Sequence, residues 1–384
     1  MSARFLIIGA GFSGAVLANR LSEAIDCTID IWDERSHIGG NCYTERDTET
    51  GIMVHKYGPH IFNTDKKEIW DFVNSFVEFR QYVHRVKAIS GGKTYSFPIN
   101  LETLHQFFQK KFTPEQAKEF LETLADKTIT DPANFEEQAL GFIGRELYEA
   151  FFYGYTKKQW GCEPVELPAS ILKRIPVRFN YDDNYHNNAY SGIPVKGYTD
   201  LFEKLIDKPA IRIHLNKKFD TSSNVAGYDH IFYTGPIDAW FDFKYGRLGY
   251  RTVTFESAVA DKDFQGTAQV NYCDEEVPYT RITEHKFFAP WEEHDRTIYF
   301  KEYSKETGTG DIPYYPKRLQ KDKEVLRKYR QDAEHLKRVS FLGRLATYRY
   351  MDMHHVIGEA LEFSEKFIHA VKNGLNLPVF PNSE

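Results

Sequence analysis

The segment RFLIIGAGFSGAVLANRL (residues 4–21) constrains the fold of this chain more than any other. A short apolar strand, Phe5–Ile8, runs into Gly9-x-Gly11-x-x-Gly14, and Ala15, Leu17, Ala18 and Leu21 follow at helical spacing. The glycines divide the work: a tight turn, backbone approach to a pyrophosphate, and close packing of helix on strand. The anion then rests on the helix N-terminus, where N–H groups and the dipole favour negative charge. A second strand, TIDIW, ends at Asp33, at the spacing of about 20 residues where a carboxylate accepts ribose hydroxyls. The fold class that follows is α/β, with a Rossmann-like dinucleotide-binding unit.

Asp33 does not separate FAD from NAD, but three further features point to FAD. Gly39-Gly40-Asn41 supplies a second flexible turn soon after the acidic residue. YDHIFYTGP (228–236) is a buried-strand run closing on Thr-Gly, which resembles the returning strand of FAD proteins. FLGRLATYRYMDMHHVIGEAL (341–361) is a strand, a Gly343-Arg344 turn, and a helix beginning near Asp352. In that class the late helix points its N-terminus at the flavin pyrimidine, where its dipole stabilises a reduced, anionic ring. The FAD domain is therefore expected to be discontinuous, built from 1–85, 200–247 and 338–384.

Between these pieces the rhythm changes. TPEQAKEFLETLA opens with Thr113 as N-cap, Pro114 at the first helical position and Gln116 in capping-box register. Phe135, Ala139, Ile143, Leu147, Phe151 and Tyr155 recur every four residues, a stripe that buries one helix face. An inserted helical domain is expected over 98–199, with a mobile substrate loop at 160–185 that closes over substrate. RTVTF, GTAQVNY, YTRITEH and TIYFKEY alternate with period two, predicting an antiparallel sheet domain from 86–97 and 248–337.

A chain of 384 residues exceeds what one core usually serves. Its formal charge of −6, from 49 basic and 55 acidic residues, argues against a nucleic-acid partner. No apolar run approaches the ~18 residues of a membrane span, and the early strand predicts no signal peptide. Cys27, Cys42, Cys162 and Cys273 lack metal or C-x-x-C spacing, so reduced thiols and a cytoplasmic location are expected, with no metal.

The segment YGYTKKQWGCEPVELPASILKRIPVRFNYDDNY (153–185) is the most unusual. Pro164, Pro168 and Pro176 break helices, so Lys173, Arg174 and Arg178 sit on a loop or short helix. Tyr155, Trp160, Tyr181 and Tyr185 flank them. Rings for a base, hydroxyls for ribose and guanidinium forks for charge suit a nucleoside diphosphate. An ordinary surface loop with core aromatics fits the same residues.

GAGFSGAV, HIGGN, YGPHIFNT, GYTKKQWG, ELPASILKRIPVRFNYDDNY, GRLGYRT, VPYTRITEHK, PYYP and GRLATYRYMDMHHVI carry a resemblance that runs essentially end to end. The chain resembles bacterial UDP-galactopyranose mutases, FAD enzymes that interconvert the pyranose and furanose forms of UDP-galactose. The resemblance implies that FAD works reduced, its N5 attacking the anomeric carbon while UDP is expelled and later returned. It implies Arg174 and Arg281 as the catalytic diphosphate clamp. Substrate contacts are implied at His84, Phe151, Phe152, Tyr155, Thr156, Trp160, Tyr185, Asn271, Tyr314 and Tyr350. Cofactor contacts are implied at Gly9, Gly11, Phe12, Ser13, Gly14, Asp33, Glu34, Gly40, Asn41, His60, Ile61, Phe219, Arg344, Asp352, Met353, His354 and Ile357. One departure is His84, in YVHRVKA, where the family often has Asn. A cellular reductant such as NAD(P)H, a homodimer and a role in envelope polysaccharide synthesis are also implied. The rival readings are an amine oxidase or desaturase of the same fold, and a non-catalytic UDP-sugar binder with structural FAD.

Overall fold

The computed structural model describes residues 2–169, 171, 177–220 and 222–381; Lys173 and Arg174 of the basic run lie outside the described residues. β1 (Ala3–Ile8), α1 (Phe12–Ala24) and β2 (Cys27–Trp32) follow one another as the glycine pattern predicts. β1 is the central strand of a five-stranded sheet in the order Ile211–His214, β2, β1, His230–Tyr233, Val339–Phe341. Every neighbouring pair is parallel.

A parallel sheet needs both faces covered, and the two-residue period of β1 divides its side chains accordingly. Phe5 and Ile7 meet Val16 and Leu17 of α1 and Phe363 and Phe367 of the C-terminal helix (Met353–Asn373). Leu6 and Ile8 join Tyr233, Tyr329 and Phe341 on the other side. Both sets are buried, which is why β1 reads as a continuous apolar run. Burying each such side chain stabilises by about 1.5–3 kcal/mol.

A second sheet of seven strands runs Tyr315–Pro316, Tyr250–Asp261, Arg296–Glu306, Arg281–Glu284, Gln269–Tyr272, Val86–Ser90, Lys93–Phe97. Its pairings are antiparallel except that Val86–Ser90 lies parallel to Gln269–Tyr272. The exception has a topological cause: those two strands are joined by the long crossover 91–268, which permits parallel entry where a hairpin does not.

Four helices, Leu101–Phe108, Pro114–Leu124, Phe135–Tyr148 and the site helix Gly154–Trp160, pack beside this sheet. Thr113 and Gln116 form the expected capping box. The stripe residues from Phe135 to Phe151 are buried, although the helix is kinked at Gly144, whose φ is +77°. The stripe does not extend to Tyr155, because Glu149–Tyr153 is a π-helical turn. The wider turn changes the angular phase of the residues after it, as π-bulges at functional sites do, and Tyr155 lines a cleft instead. Among the described residues no helix is long and apolar enough to cross a membrane.

Candidate active site

Two clefts, of about 410 and 560 Å³, open between the sheets. The first lies at the C-terminal edge of the parallel sheet, where ligands of such sheets bind. Gly9, at φ +108°, turns the chain out of β1, and a Cβ there would lie 2.1 Å from Thr234 Oγ1. Gly11, Phe12 and Ser13 then present the first turn of α1 to the cleft, with no acidic residue in that turn. Gly40 faces Gly11 so closely that a Cβ on it would come 3.3 Å from Gly11 Cα.

These residues fit a dinucleotide. Gly11, Gly39 and Gly40 keep part of the cleft wall free of side chains, and Arg35 on that wall has a buried Nη1 with no hydrogen-bond partner. Its Nη2 donates to Asn41 Oδ1 at 2.8 Å, fixing the fork in place. A buried guanidinium N–H without an acceptor is costly unless an anion or hydroxyl meets it. Sequence reading missed Arg35; its place two residues after the acidic strand end is a signal that could have raised it.

The placement of the other expected cofactor residues is mixed. Asn41, His60, Ile61, Arg344, Asp352 and Met353 line the first cleft. Asp33 turns its carboxylate to the backbone, accepting from Ala10 N at 2.8 Å and Arg35 N at 2.9 Å, and so braces the glycine turn. Glu34 is exposed beside it. Gly14 backs the turn, Ile357 is buried in the core beneath, and Phe219 stacks on Trp240 with centroids 5.1 Å apart. Glu34, Gly14, Ile357, Phe219 and His354 are not among the lining residues.

His60 is held in one tautomer. Its Nδ1 lies 2.8 Å from Gly58 O, and a carbonyl only accepts, so Nδ1 carries the proton and Nε2 is a bare acceptor. Its backbone N–H donates to His55 Nδ1 at 3.0 Å, and the N–H of His55 donates to His285 Nδ1 at 3.3 Å. Burial is the main cause that pulls His60 to about 4, with Arg344 and Arg281 adding to it. Burial likewise takes His84 and His285 to about 3.

The sign of the resulting pH dependence is fixed. These rings titrate lower folded than unfolded (about 6.5), so on acidification the unfolded chain takes up protons first. Their contribution is complete above about pH 6.5 and is lost as pH falls toward 4 and 3, by up to about 1.4 kcal/mol per pH unit for each ring. Urea midpoints should therefore drop steeply on going from neutral pH to about pH 5. A midpoint that stays level over that range would contradict the assignment.

The second cleft continues from the first. Tyr185, Arg281, Tyr315 and Tyr350 line both, so the two meet around Arg281. Tyr155, Gln159 and Trp160 of the site helix form one wall, and Lys317, Arg318 and Lys323 add positive charge opposite. Arg281 begins its strand, and its Nε and Nη2 both donate to Glu302 Oε2 at 2.8 Å. Burial opposes its charge, but the Glu302 carboxylate, with Tyr155 and Tyr315, holds the guanidinium pKa above its ordinary value. Glu302 is itself 1% exposed, and its Oε1 is buried without a partner. A fixed cation among tyrosine hydroxyls can bind a diphosphate and stabilise it as a leaving group.

Among expected substrate residues, Tyr155, Trp160, Tyr185 and Tyr350 reach the clefts, and His84 reaches the first. His84 is 3% exposed and stacks on His186, which the sequence reading did not single out. Phe151, Phe152 and Thr156 are buried behind the wall and line neither cleft. Asn271 is also buried; its Oδ1 accepts from Gln269 Nε2 at 2.9 Å, and Gln269 is the residue that faces the first cleft. Tyr314 lines neither cleft, while Tyr315 lines both and stacks on Tyr350 at 5.9 Å. Burial, with Glu302 adding, raises the Tyr315 hydroxyl to about 12, so it is a proton donor there. Adjacent strand residues point to opposite faces, and PYYP alone does not say which tyrosine turns inward.

Comparison with known proteins agrees with this geometry. Residues 7–76 match the NAD(P)-binding Rossmann-like domain, and residues 150–350 match the family described as GLF: UDP-galactopyranose mutase. The chain is 52% identical over 375 residues to a probable UDP-galactopyranose mutase of Klebsiella pneumoniae, covering 98% of this chain and 97% of the relative. It is 49% identical over 371 residues to a dTDP-fucopyranose mutase of Escherichia coli, covering 95% and 98%. A crystal structure of reduced UDP-galactopyranose mutase shares the fold, with TM-score 0.73 and 15% identity over 97% of this chain and 96% of that one. By full-length identity, by the matched family and by the fold, the chain belongs to the UDP-galactopyranose mutase family.

Proposed function

We propose that the chain is a flavin-dependent isomerase that interconverts UDP-galactopyranose and UDP-galactofuranose. The observation that carries this reading is the meeting of a dinucleotide cleft and an aromatic nucleotide cleft at Arg281. When bound, FAD in its reduced form supplies the nucleophile toward the anomeric carbon. The chain supplies orientation and charge. Tyr155 and Trp160 frame the base, and Tyr315, Tyr185 and Tyr350 donate hydroxyls around the diphosphate. Arg281, locked by Glu302, holds the departing UDP so that it can return. Arg174, which lies outside the described residues, is its proposed partner. The dipole of the C-terminal helix, entering at Asp352–Met353, favours a reduced, anionic ring.

The reaction has no net redox change, so the amine-oxidase reading loses its support once the family is assigned. One second reading has a specific basis: the Escherichia coli relative is named for a dTDP-linked sugar at nearly the same identity. FAD-loaded protein reduced with dithionite should be given UDP-galactofuranose and dTDP-fucofuranose separately, with products resolved by chromatography. UDP-galactopyranose should form with reduced protein and not with oxidised protein. Conversion of the dTDP sugar alone would move the assignment to the second reading, and no isomer from either would overturn both. The same reading places the enzyme in the cytoplasm as a homodimer kept reduced by NAD(P)H and feeding envelope polysaccharide synthesis.

A further inference from the structure

We propose that Lys158 is a positioning residue that sets the spacing between the base platform and the diphosphate clamp. The inference rests on the nucleotide-sugar reading of the two clefts. Lys158 belongs to the site helix but lines neither cleft. Its Nζ donates to four main-chain carbonyls: Tyr272 at 2.8 Å, Asp274 at 2.7 Å, Val277 at 3.0 Å and Tyr279 at 3.2 Å. An ammonium has three N–H donors, so the four oxygens share them, and the loop is wrapped around the cation.

That loop joins Gln269–Tyr272 to Arg281–Glu284. It therefore ends at the residue that binds Glu302. The site helix approaches it closely: a Cβ on Gly154 would lie 2.4 Å from Cys273 O. The other end of the helix is fixed separately. Arg251 Nε and Ser304 Oγ donate to Gln159 O at 2.9 and 2.6 Å, and Arg251 Nη2 donates to Lys158 O at 3.2 Å. Tyr155 and Trp160 are thus anchored to the sheet through Arg251 and Ser304, while Lys158 ties them to the loop that delivers Arg281. Burial lowers the pKa of Lys158, and the carbonyl oxygens compensate for its lost hydration. A ligand that touches only the platform does not sense this tie; one that spans platform and clamp does.

The test compares uridine with UDP on the FAD-loaded, oxidised holoenzyme by calorimetric titration. In Lys158→Met, which keeps the apolar stem and loses the ammonium, UDP affinity should fall at least about tenfold, as expected when one charge-assisted hydrogen bond to the diphosphate is lost. Uridine affinity and the flavin spectrum should be unchanged. Lys158→Gln, which retains two N–H donors, should fall between, and it serves if the methionine variant does not fold. Equal loss of uridine and UDP would make Lys158 merely structural and overturn the proposal, as would wild-type affinity for both. Wild-type protein that binds neither ligand would overturn the nucleotide-sugar reading and this inference with it.

Discussion

Arg281→Ala is expected to lower kcat/KM by about 10²–10³-fold while the protein still purifies with FAD, the range seen when one preorganised charge donor is removed. Arg281 lines both clefts, whereas the glycine turn and the α1 N-terminus that would hold the cofactor lie elsewhere in the first. The substitution has a second effect, on stability. It strands the Glu302 carboxylate, which is 1% exposed and already has one oxygen without a partner. Breaking a buried pair by removing one member costs about 3–5 kcal/mol. The double variant Arg281→Ala/Glu302→Leu should recover much of that stability and none of the turnover. Measuring both denaturation midpoint and kcat/KM separates the two roles. Turnover near wild type in Arg281→Ala would rule out the clamp.

The second large effect is expected at the glycine turn. A Cβ on Gly14 would lie 2.1 Å from Gly9 O and 3.3 Å from Gly9 C, contacts with backbone that no rotamer change relieves. Gly9 is itself held by its N–H bond to Trp32 O at 2.8 Å. In Gly14→Ala, α1 must therefore move off β1, opening the cradle formed by Gly11, Phe12 and Ser13. Overpacking of this kind costs about 1–3 kcal/mol, which a core shared by α1, β1 and the C-terminal helix can absorb. FAD affinity has no such reserve, because it depends on the aim of the first-turn N–H groups. The variant should fold, by far-ultraviolet circular dichroism, and purify colourless, with FAD binding weakened at least about 100-fold. A yellow Gly14→Ala protein with ordinary flavin content would refute this account of the turn.

Much of the frame could be read from residue order. The β1–turn–α1 unit, the returning strand at 230–233 and the late helix from Met353 carry local patterns strong enough to place them. The capping box at Thr113 did the same for its helix. What sequence reasoning missed has physical causes. Asp33 was expected to face a ribose; that each of its oxygens also accepts a backbone N–H and braces the glycine turn is not visible in the spacing. Tyr314 and Tyr315 differ by one step along an extended segment, and that step decides which ring meets Arg281. Asn271 and Gln269 share one face of their strand, but their mutual hydrogen bond leaves Gln269 toward the cleft. Such choices are made by packing across the sheet, and period alone does not encode them.

The order of the parallel sheet has a consequence for biosynthesis. Its central strand pairs with residues 230–233, and these pair in turn with residues 339–341. The far wall of the first cleft, Arg344 to Met353, comes later still. A ribosome adding about 5–20 residues per second therefore leaves one edge of β1 open for many seconds until residues 230–233 emerge, although β2 follows at once to cover the other. The nascent protein holds an incomplete cleft through most of translation, and its far wall is finished only when residues 344–353 emerge.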